Sequence, residues 1–334
     1  MRQFINNILR FSLSILIPLL ILLIGYFNYD PFKVLYNYSN YSYPYVIPNR
    51  DYVSTEMFIK NHNKYKYNSF IFGSSRTLAF HPQTWKKYLK PTDSPFMFDA
   101  SGESIYGIYT KIKYLDSIHT PINNAIILIC RDVTFRDSVN PSGHLFIKHT
   151  ATSLEGKIAF QFTFVKAYLS PRFLYSFYMY TFSKNFKPYM AGYIENRKIT
   201  YDSITNMVRI IDQENEITHY PDKYYKEHEN VFYKRQNEIT DSIARINPTQ
   251  IMMLKEINKI LQKNNTNVKV IISPLYEQIK FNPEDIKVLK SIFHNDLYDF
   301  SGKNYFTDSK YNYYENSHYR PLVGDSILQF IYNH

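Results

Sequence analysis

Two short stretches near opposite ends of the chain contain residues that could act together as a nucleophile and its base. In the first, an apolar run stops at Gly73, Ser74 and Ser75. In the second, Glu315 stands three residues before His318. A serine hydroxyl becomes a nucleophile when a histidine takes its proton and a carboxylate orients that histidine. The same pattern also has a purely structural interpretation, in which Gly73 allows a turn and one serine caps a helix.

The residues that flank these stretches predict the elements that would position them. Ser69 to Phe72 is a short apolar run that predicts a strand, followed by a tight turn and the start of a helix. Leu322 to Tyr332 is amphipathic and predicts a last helix shortly after His318. In α/β proteins ligands bind at the carboxyl ends of the strands, close to the amides of helix N-termini. The sequence therefore places Ser75 at an edge where ligands bind.

Strand and helix patterns alternate through much of the chain. The further predicted strands are Phe96 to Asp99, Ala125 to Cys130, Val268 to Pro274 and Leu297 to Phe300. The predicted helices include Tyr52 to Lys60, Ile105 to Ile118, one that begins at Asn247-Pro248 and one that Asn282 caps. This alternation favours a parallel sheet with helices on both faces. The single cysteine, Cys130, is predicted to be buried at the end of a central strand.

The Gly-x-Ser turn near the N-terminus and the acidic-x-x-His motif before the last helix resemble the SGNH (GDSL-type) hydrolase superfamily. The chain is most similar to the membrane-anchored branch that handles acyl groups on bacterial envelope polymers, which includes the D-alanyl transfer protein of teichoic acids and the alginate acetylation proteins. The resemblance extends from Ser69 to the C-terminus, with an unmatched middle. It implies a three-layer, flavodoxin-like α/β fold built on a parallel sheet.

The resemblance also implies roles for individual residues. Ser75 matches the nucleophile, His318 the base and Glu315 the acid that orients the base. The block that contains Gly102 matches the superfamily's glycine block, so the backbone amides of Gly102 and Ser75 would form an oxyanion hole. Ser74 occupies the position that the superfamily fills with aspartate.

Three residues beside these positions, Ser74, Arg76 and Asp132, are candidates for substrate binding. Asp132 follows the predicted strand that ends at Cys130, at the edge where groups that face a ligand collect. A structural salt bridge from Asp132 to Arg131 or Arg136 is the alternative. The histidines and the single cysteine show no spacing typical of metal ligands, and we predict neither a metal nor a cofactor.

The uncharged run from Phe11 to Tyr29 predicts a transmembrane helix, since about 20 apolar residues cross a bilayer. A cleaved signal peptide is the competing interpretation, but the run is longer than such peptides usually carry, and no small-residue cleavage site follows it. Arg2 and Arg10 precede the run, which predicts a cytoplasmic N-terminus. The expected location is the cytoplasmic membrane, with a single span and an extracytoplasmic domain.

The predicted domain organisation has three parts. Residues 1–29 form the cytoplasmic N-terminus and signal anchor, residues 30–50 a juxtamembrane linker, and residues 51–334 an SGNH-like domain with an aromatic-rich insertion at about 140–245. Two interpretations of the insertion stay open. It is either a lid that shapes a groove for a sugar polymer, or a second hydrophobic layer packed on the core.

The charge of the chain bears on its partners. The net charge is +10, but the basic residues are scattered and no nucleic-acid motif stands among them. We therefore expect no nucleic acid as a partner, and an anionic envelope polymer or lipid surface instead. The resemblance implies a membrane-anchored serine esterase or O-acyltransferase that acts on acyl esters, acetyl above all, of envelope polysaccharide, with a membrane-bound acyl donor enzyme as a candidate partner.

A non-catalytic function is the alternative. In it the protein keeps the same fold and serves as a binding or assembly partner in polysaccharide modification. Two departures from the superfamily pattern favour it. Arg131 and Asp132 stand where the superfamily has a Gly-x-Asn-Asp block, and Glu315 stands where it usually has aspartate.

Overall fold

A computed structural model describes residues 1–136, 142–235 and 238–333. The helices are α1 Arg2–Tyr29, α2 Arg50–Tyr65, α3 Pro82–Trp85, α4 Ile105–Ser117, α5 Lys157–Tyr168, α6 Pro171–Ser183, α7 Ile211–His219, α8 Pro221–Glu227, α9 Pro248–Lys263, α10 Pro283–Phe293, α11 Tyr305–Asp308 and α12 Pro321–Asn333. The strands are β1 Ser69–Phe72, β2 Pro95–Met97, β3 Asn124–Ile129, β4 Ile199–Tyr201, β5 Val208–Ile210, β6 Ile239–Thr240, β7 Asn267–Ile272, β8 Ile279–Lys280, β9 Leu297–Asp299, β10 Tyr313–Glu315 and β11 His318–Tyr319. The predicted insertion at about 140–245 includes positions 140, 141, 236 and 237, which lie outside the described residues.

Five of the strands form one parallel sheet in the order β2-β1-β3-β7-β9. β1 lies between β2 and β3, with Ser69 opposite both Pro95 and Asn124. Every residue of β1 and β3 is buried, and after the polar first residues Ser69 and Asn124 both strands are continuous apolar runs, as expected for strands covered on both faces. The predicted α/β class with a parallel sheet is confirmed.

Apolar side chains from helices cover both faces of this sheet. Ile71 of β1 and Ile126 of β3 belong to a buried cluster that also contains Ile327 of α12. The neighbouring Phe70 points to the opposite face, because successive strand residues alternate. There its ring lies 6.0 Å from that of Phe58 in α2. Helix α2 also contacts α4, and α4 contacts α9, so the second face is covered by a layer of helices.

Asparagine caps fix the starts of four helices in the described part of the chain, among them α11, which Asn304 caps. Asn247 accepts a hydrogen bond from the amide of Gln250 at 3.0 Å, and the Gln250 side chain accepts one from the Asn247 amide at 3.1 Å. Asn282 accepts hydrogen bonds from the first two acidic residues of α10, as its position predicted. Helix α2 is longer than the predicted range from Tyr52 to Lys60, because Asn49 caps it earlier, at the Tyr52 amide.

The chain divides into two compact units that differ from the predicted domains. One consists of Met1–Pro48 and Gly156–Asn196, and the other contains the parallel sheet. The predicted linker at 30–50 therefore lies almost entirely in the first unit. Within that unit, the ring of Phe32 stacks on that of Phe173 at 4.9 Å. The sequence could not show this packing, since the two rings are far apart along the chain.

Helix α1 is long and apolar enough to cross a membrane. It has 28 residues, and the mean hydropathy of its most apolar window is 2.4. No side chain of that window is buried against the rest of the chain. At about 1.5 Å per residue the helix exceeds the roughly 30 Å of a bilayer core. This agrees with the predicted span.

Candidate active site

The turn after β1 presents Ser75 at the carboxyl end of a central strand. β1 ends at Phe72, and Ser75 begins a short 3₁₀ helix, Ser75–Ala79. Between them Gly73 has a φ of +149°, and a Cβ at this position would lie 2.8 Å from the Cβ of Leu128 in the neighbouring strand. Only glycine fits both the backbone conformation and the space. The turn leaves the Ser75 side chain half-buried at the edge of the sheet.

The structure brings the three predicted catalytic residues together. The Oγ atom of Ser75 lies 2.7 Å from Nε2 of His318. On the other side of the ring, Nδ1 of His318 is hydrogen-bonded to Oε1 of Glu315. The amide of Ser317 donates to Oε2 of Glu315 at 2.7 Å and so fixes the carboxylate. This is the arrangement in which a histidine can take a serine proton while a carboxylate holds the ring.

A small hairpin carries the histidine and the carboxylate. β10 and β11 pair antiparallel, with Glu315 opposite His318 and an irregularity in the register before that pair. The hydroxyl of Tyr319 lies 3.1 Å from Oγ of Ser273, directly after β7, and so joins the hairpin to the carboxyl end of the sheet. The sequence predicted only a loop here, because strands this short leave no periodic pattern.

The surroundings of Glu315 favour its ionised form. Burial raises the pKa of Glu315, but the hydrogen bond and charge of His318, together with the hydrogen bonds from Ser317, lower it below the ordinary glutamate value. A carboxylate that stays ionised can hold the proton on Nδ1 and stabilise the imidazolium form. The electrostatics therefore match the role that the resemblance implies for Glu315.

The predicted oxyanion donors lie in two linked turns. Gly102 has a φ of +56°, and its turn is joined to the Ser75 turn where the Ala100 amide donates to the Gly73 carbonyl at 3.1 Å. Within the described ranges, neither the Ser75 amide nor the Gly102 amide donates to a protein acceptor. Both donors are therefore available to a ligand, and the oxyanion hole stays a prediction.

A buried network of charges supports the backbone on both sides of Gly102. Lys111 donates to the Asp99 carbonyl and to Oε2 of Glu103, each at 2.8 Å, and Lys148 also pairs with Glu103. The network comprises Arg50, Asp51, Asp99, Glu103, Lys111 and Lys148, all almost fully buried. Each buried cation in it contacts a carboxylate, as burial of charge requires. Sequence reasoning missed this network because its members look like ordinary surface charges spread along the chain.

The side chain of Ser74, a predicted substrate-binding candidate, is turned away from the site. It is 1% exposed, and its Oγ lies 3.3 Å from the Sγ of Cys130. Cys130 is itself fully buried, as predicted, and also lies 3.5 Å from Oγ of Ser273. The Ser74 hydroxyl therefore belongs to the interior beneath the turn.

The other two candidates, Arg76 and Asp132, form a salt bridge with each other. The buried guanidinium of Arg76 donates to both carboxylate oxygens of Asp132 at 2.7 Å, and its Nε donates to the carbonyl of Ser317 at 2.7 Å. Arg131 instead pairs with Asp241 at 2.8 Å. Asp132 therefore forms a structural salt bridge, the alternative that the sequence left open, and its partner is Arg76.

Arg76 connects the end of β3 to the hairpin that carries His318. The Arg76 guanidinium thereby fixes the carbonyl of Ser317, next to His318. It also favours the ionised form of Asp132: burial raises the pKa of Asp132, but the hydrogen bonds and charge of Arg76 lower it below the ordinary aspartate value. Residues that orient a base in this way affect the rate without touching substrate. Sequence reasoning singled out Arg76 for a different role.

We expect Arg76→Lys to lower turnover by roughly 10- to 100-fold with little change in KM. A single ammonium group cannot keep both the two hydrogen bonds to the Asp132 carboxylate and the hydrogen bond to the Ser317 carbonyl. Steady-state ester hydrolysis checks this. Arg131→Lys is the matched control, since Arg131 also bridges two carboxylates, Asp241 and Glu277. It should lose stability while it keeps its turnover. Equal losses of turnover in both variants would contradict a positioning role for Arg76.

A cavity of about 290 Å³ is lined by parts of the same elements. Leu78 comes from the 3₁₀ helix of Ser75 and Tyr314 from the hairpin, and Arg209, Glu214 and His81 complete much of the wall. Burial lowers the pKa of His81, so the lining histidine favours its neutral form. Sequence reasoning missed this cavity, because Arg209 and Glu214 come from a region where the pattern is irregular.

No known protein-family model matches the chain, and no curated protein is significantly similar to it.

Proposed function

We propose that the protein is a membrane-anchored serine esterase or O-acyltransferase of SGNH type. The observation that carries the proposal is the continuous contact from Ser75 through His318 to Glu315. The fold supports it as well. If the five strands of the parallel sheet are numbered along the chain, their order is 2-1-3-4-5, which is the flavodoxin-like order.

The geometry supports a two-step mechanism. Nε2 of His318 accepts the hydroxyl proton as Oγ of Ser75 attacks the ester carbonyl carbon. The tetrahedral oxyanion then collapses, the bond to the alcohol oxygen breaks, and His318 returns the proton to the departing alcohol. An acyl-serine remains on Ser75. In the second step water or a sugar hydroxyl attacks the acyl carbon and gives its proton to His318; the new tetrahedral oxyanion collapses, the bond to Oγ of Ser75 breaks, and His318 returns the proton to Ser75. This acceptor decides between hydrolysis and acyl transfer.

The unengaged amides of Ser75 and Gly102 would hold the oxyanion in both steps. Donors aimed at developing negative charge supply a large part of catalysis, and the loss of one typically costs roughly 10²–10³ in rate. The buried network behind Gly102 favours such a role, because a rigid donor needs no reorganisation during the reaction.

The anchor and the charge of the chain favour an envelope substrate. Arg2 and Arg10 precede the span of α1, so the domain that carries Ser75 would be extracytoplasmic. There the net charge of +10 favours anionic glycans. We propose acyl esters of cell-envelope polysaccharide as substrates and a membrane-bound acyl donor enzyme as a candidate partner.

A fluorophosphonate probe tests the function directly. We expect the full-length protein in detergent to be labelled covalently on Ser75, because the His318 contact activates the hydroxyl. Ser75→Ala should abolish labelling and Ser74→Ala should retain it, as read by gel fluorescence and peptide mass spectrometry. If a folded wild type takes no label and turns over no aryl ester, the non-catalytic function becomes the better interpretation.

A further inference from the structure

Helix α5 carries large apolar side chains on two faces, although only one of these faces is packed. Phe160, Phe164 and Tyr168 form its buried face. On the other face Ile158 is 88% exposed and Phe162 is 65% exposed. Large apolar side chains on a face that nothing in the protein covers are expected to meet another protein or lipid. The exposed side of α5 combines such side chains with the exposed Lys157 and Lys166.

Helix α6 repeats this arrangement. Its buried face contains Phe173 and Phe177. Tyr175, Met179 and Phe182 are exposed at spacings of four and three residues, so they form one stripe along the helix. Phe182 is 78% exposed. Two successive helices in the same unit thus carry exposed apolar stripes.

Contacts with α1 fix the level of both helices relative to the predicted span. The ring of Tyr168 lies 5.1 Å from that of Tyr26, and the hydroxyls of Tyr168 and Tyr178 are 2.7 Å apart. Both hydroxyls lie within 3 Å of where a Cβ on Gly25 would be. Gly25 is about 6 Å along the axis before the end of the uncharged run at Tyr29. The helix pair therefore lies at the level where a spanning α1 leaves the hydrocarbon.

The charge and side-chain types of Gly156–Asn196, which contains α5 and α6, fit the interface between lipid and water. Its basic residues are Lys157, Lys166, Arg172, Lys184 and Lys187, against the single acidic residue Glu195. Tyrosine is enriched at membrane interfaces, and basic residues on an otherwise apolar helix bind anionic headgroups. This combination favours a bilayer over a protein surface as the occupant of the stripes.

We propose that α5 and α6 dock into the headgroup layer of the membrane that α1 spans, with Ile158, Phe162, Met179 and Phe182 directed towards the acyl chains. The proposal rests on the proposed membrane anchor and is independent of the catalytic role of Ser75. The first unit would then be attached to the membrane by the transmembrane helix α1 and by two interfacial helices, α5 and α6. Burial of these side chains to a depth of about 5–10 Å is typical of interfacial helices.

Site-directed spin labelling of the full chain tests this proposal. The only native cysteine, Cys130, is fully buried, so Phe162→Cys and Phe182→Cys each offer one reactive thiol. Leu16→Cys in α1 is the reference for the bilayer interior, and Tyr305→Cys, which is 82% exposed in the other unit, is the reference for water. Each labelled protein is reconstituted in vesicles of phosphatidylcholine and phosphatidylglycerol. Collisions with oxygen and with a water-soluble nickel complex are then measured by power saturation.

We expect labels at 162 and 182 to show a ratio of oxygen to nickel accessibility several-fold above that at 305 and below that at 16. Nickel accessibility equal to that at 305, with an interior value at 16, would overturn the docking proposal and leave the anchor intact. A water-like value at 16 would overturn both. Spin–spin broadening at 162 in detergent that disappears on dilution with unlabelled protein would assign the stripes to a second copy instead, and would also overturn the proposal.

Discussion

Ser75→Ala and His318→Ala are each expected to lower ester turnover by about 10³-fold or more, to background. Alanine at 75 removes the attacking oxygen, and alanine at 318 removes the base that lies 2.7 Å from it. Because the two groups act as a unit, the double variant should be scarcely slower than either single one. The hydrolysis of an aryl acetate measures turnover, and thermal melting shows whether each variant is folded.

Ser74→Ala is the matched control for this experiment. Ser74 neighbours Ser75 in sequence, yet its hydroxyl is buried and contacts Cys130. Its loss removes one weak hydrogen bond beneath the turn, so turnover should stay near that of the wild type with a small drop in melting temperature. If Ser74→Ala is inactive while Ser75→Ala keeps full turnover, Ser75 is not the nucleophile.

Glu315→Gln is expected to lower turnover by roughly 10³–10⁴-fold while KM changes little, as the loss of the orienting carboxylate does in serine hydrolases. The amide keeps the shape of the side chain but cannot stabilise the imidazolium form of His318. Its NH₂ group can also donate to Nδ1, which selects the tautomer whose Nε2 carries a proton and cannot accept one from Ser75. Steady-state kinetics on an aryl acetate test the prediction.

The stability of the same variant should depend on pH in a defined direction. The pKa of Glu315 is lower in the folded protein than its ordinary value, so the carboxylate stabilises the fold above that ordinary value. This stabilisation is lost as the pH falls through the lowered pKa. The difference in melting temperature between wild type and Glu315→Gln should therefore be constant near neutral pH and shrink in acid. It should remain small, since the side chain is 29% exposed and solvent screens its interactions.

Glu284→Gln is the control, because Glu284 is 67% exposed and its ion pair within the described residues is with the exposed Lys287. It should change neither turnover nor melting temperature noticeably. If Glu315→Gln behaves like this control in the kinetic assay, Glu315 does not orient His318. The acid would then have to be sought at Asp308 or Asp132.

Local features of the sequence were enough to predict the main elements of the sheet and several helix starts. Short, mainly apolar runs predict the strands β1, β3 and β7, and Asn247 and Asn282 cap helices through contacts within a few residues. The turn at Gly73 was also predicted from its neighbours in the sequence, whereas the close approach of Leu128 that excludes a side chain there belongs to the tertiary structure. Such features are encoded by neighbouring residues, and a single sequence displays them directly.

The placement of Ser75, Glu315 and His318 in contact was a prediction that rested on a family resemblance. The Glu-x-x-His spacing alone does not determine it, because the contact from Ser75 to His318 joins parts of the chain 243 positions apart. Only the parallel order of β1, β3 and β7 brings the turn after β1 and the hairpin beyond β9 to one edge.

Only the tertiary structure decided which charges pair and which segments pack together. Arg76 binds Asp132 and the Ser317 carbonyl, although Arg131 is closer to Asp132 in sequence. Likewise, residues 30–48 join 156–196 in one unit because aromatic rings such as Phe32 and Phe173 find each other across the chain. The physical reason is the same in each case. Each charged or aromatic side chain could pair with many chemically equivalent residues elsewhere in the sequence. Only the fold determines which of these residues lies close enough to make the contact.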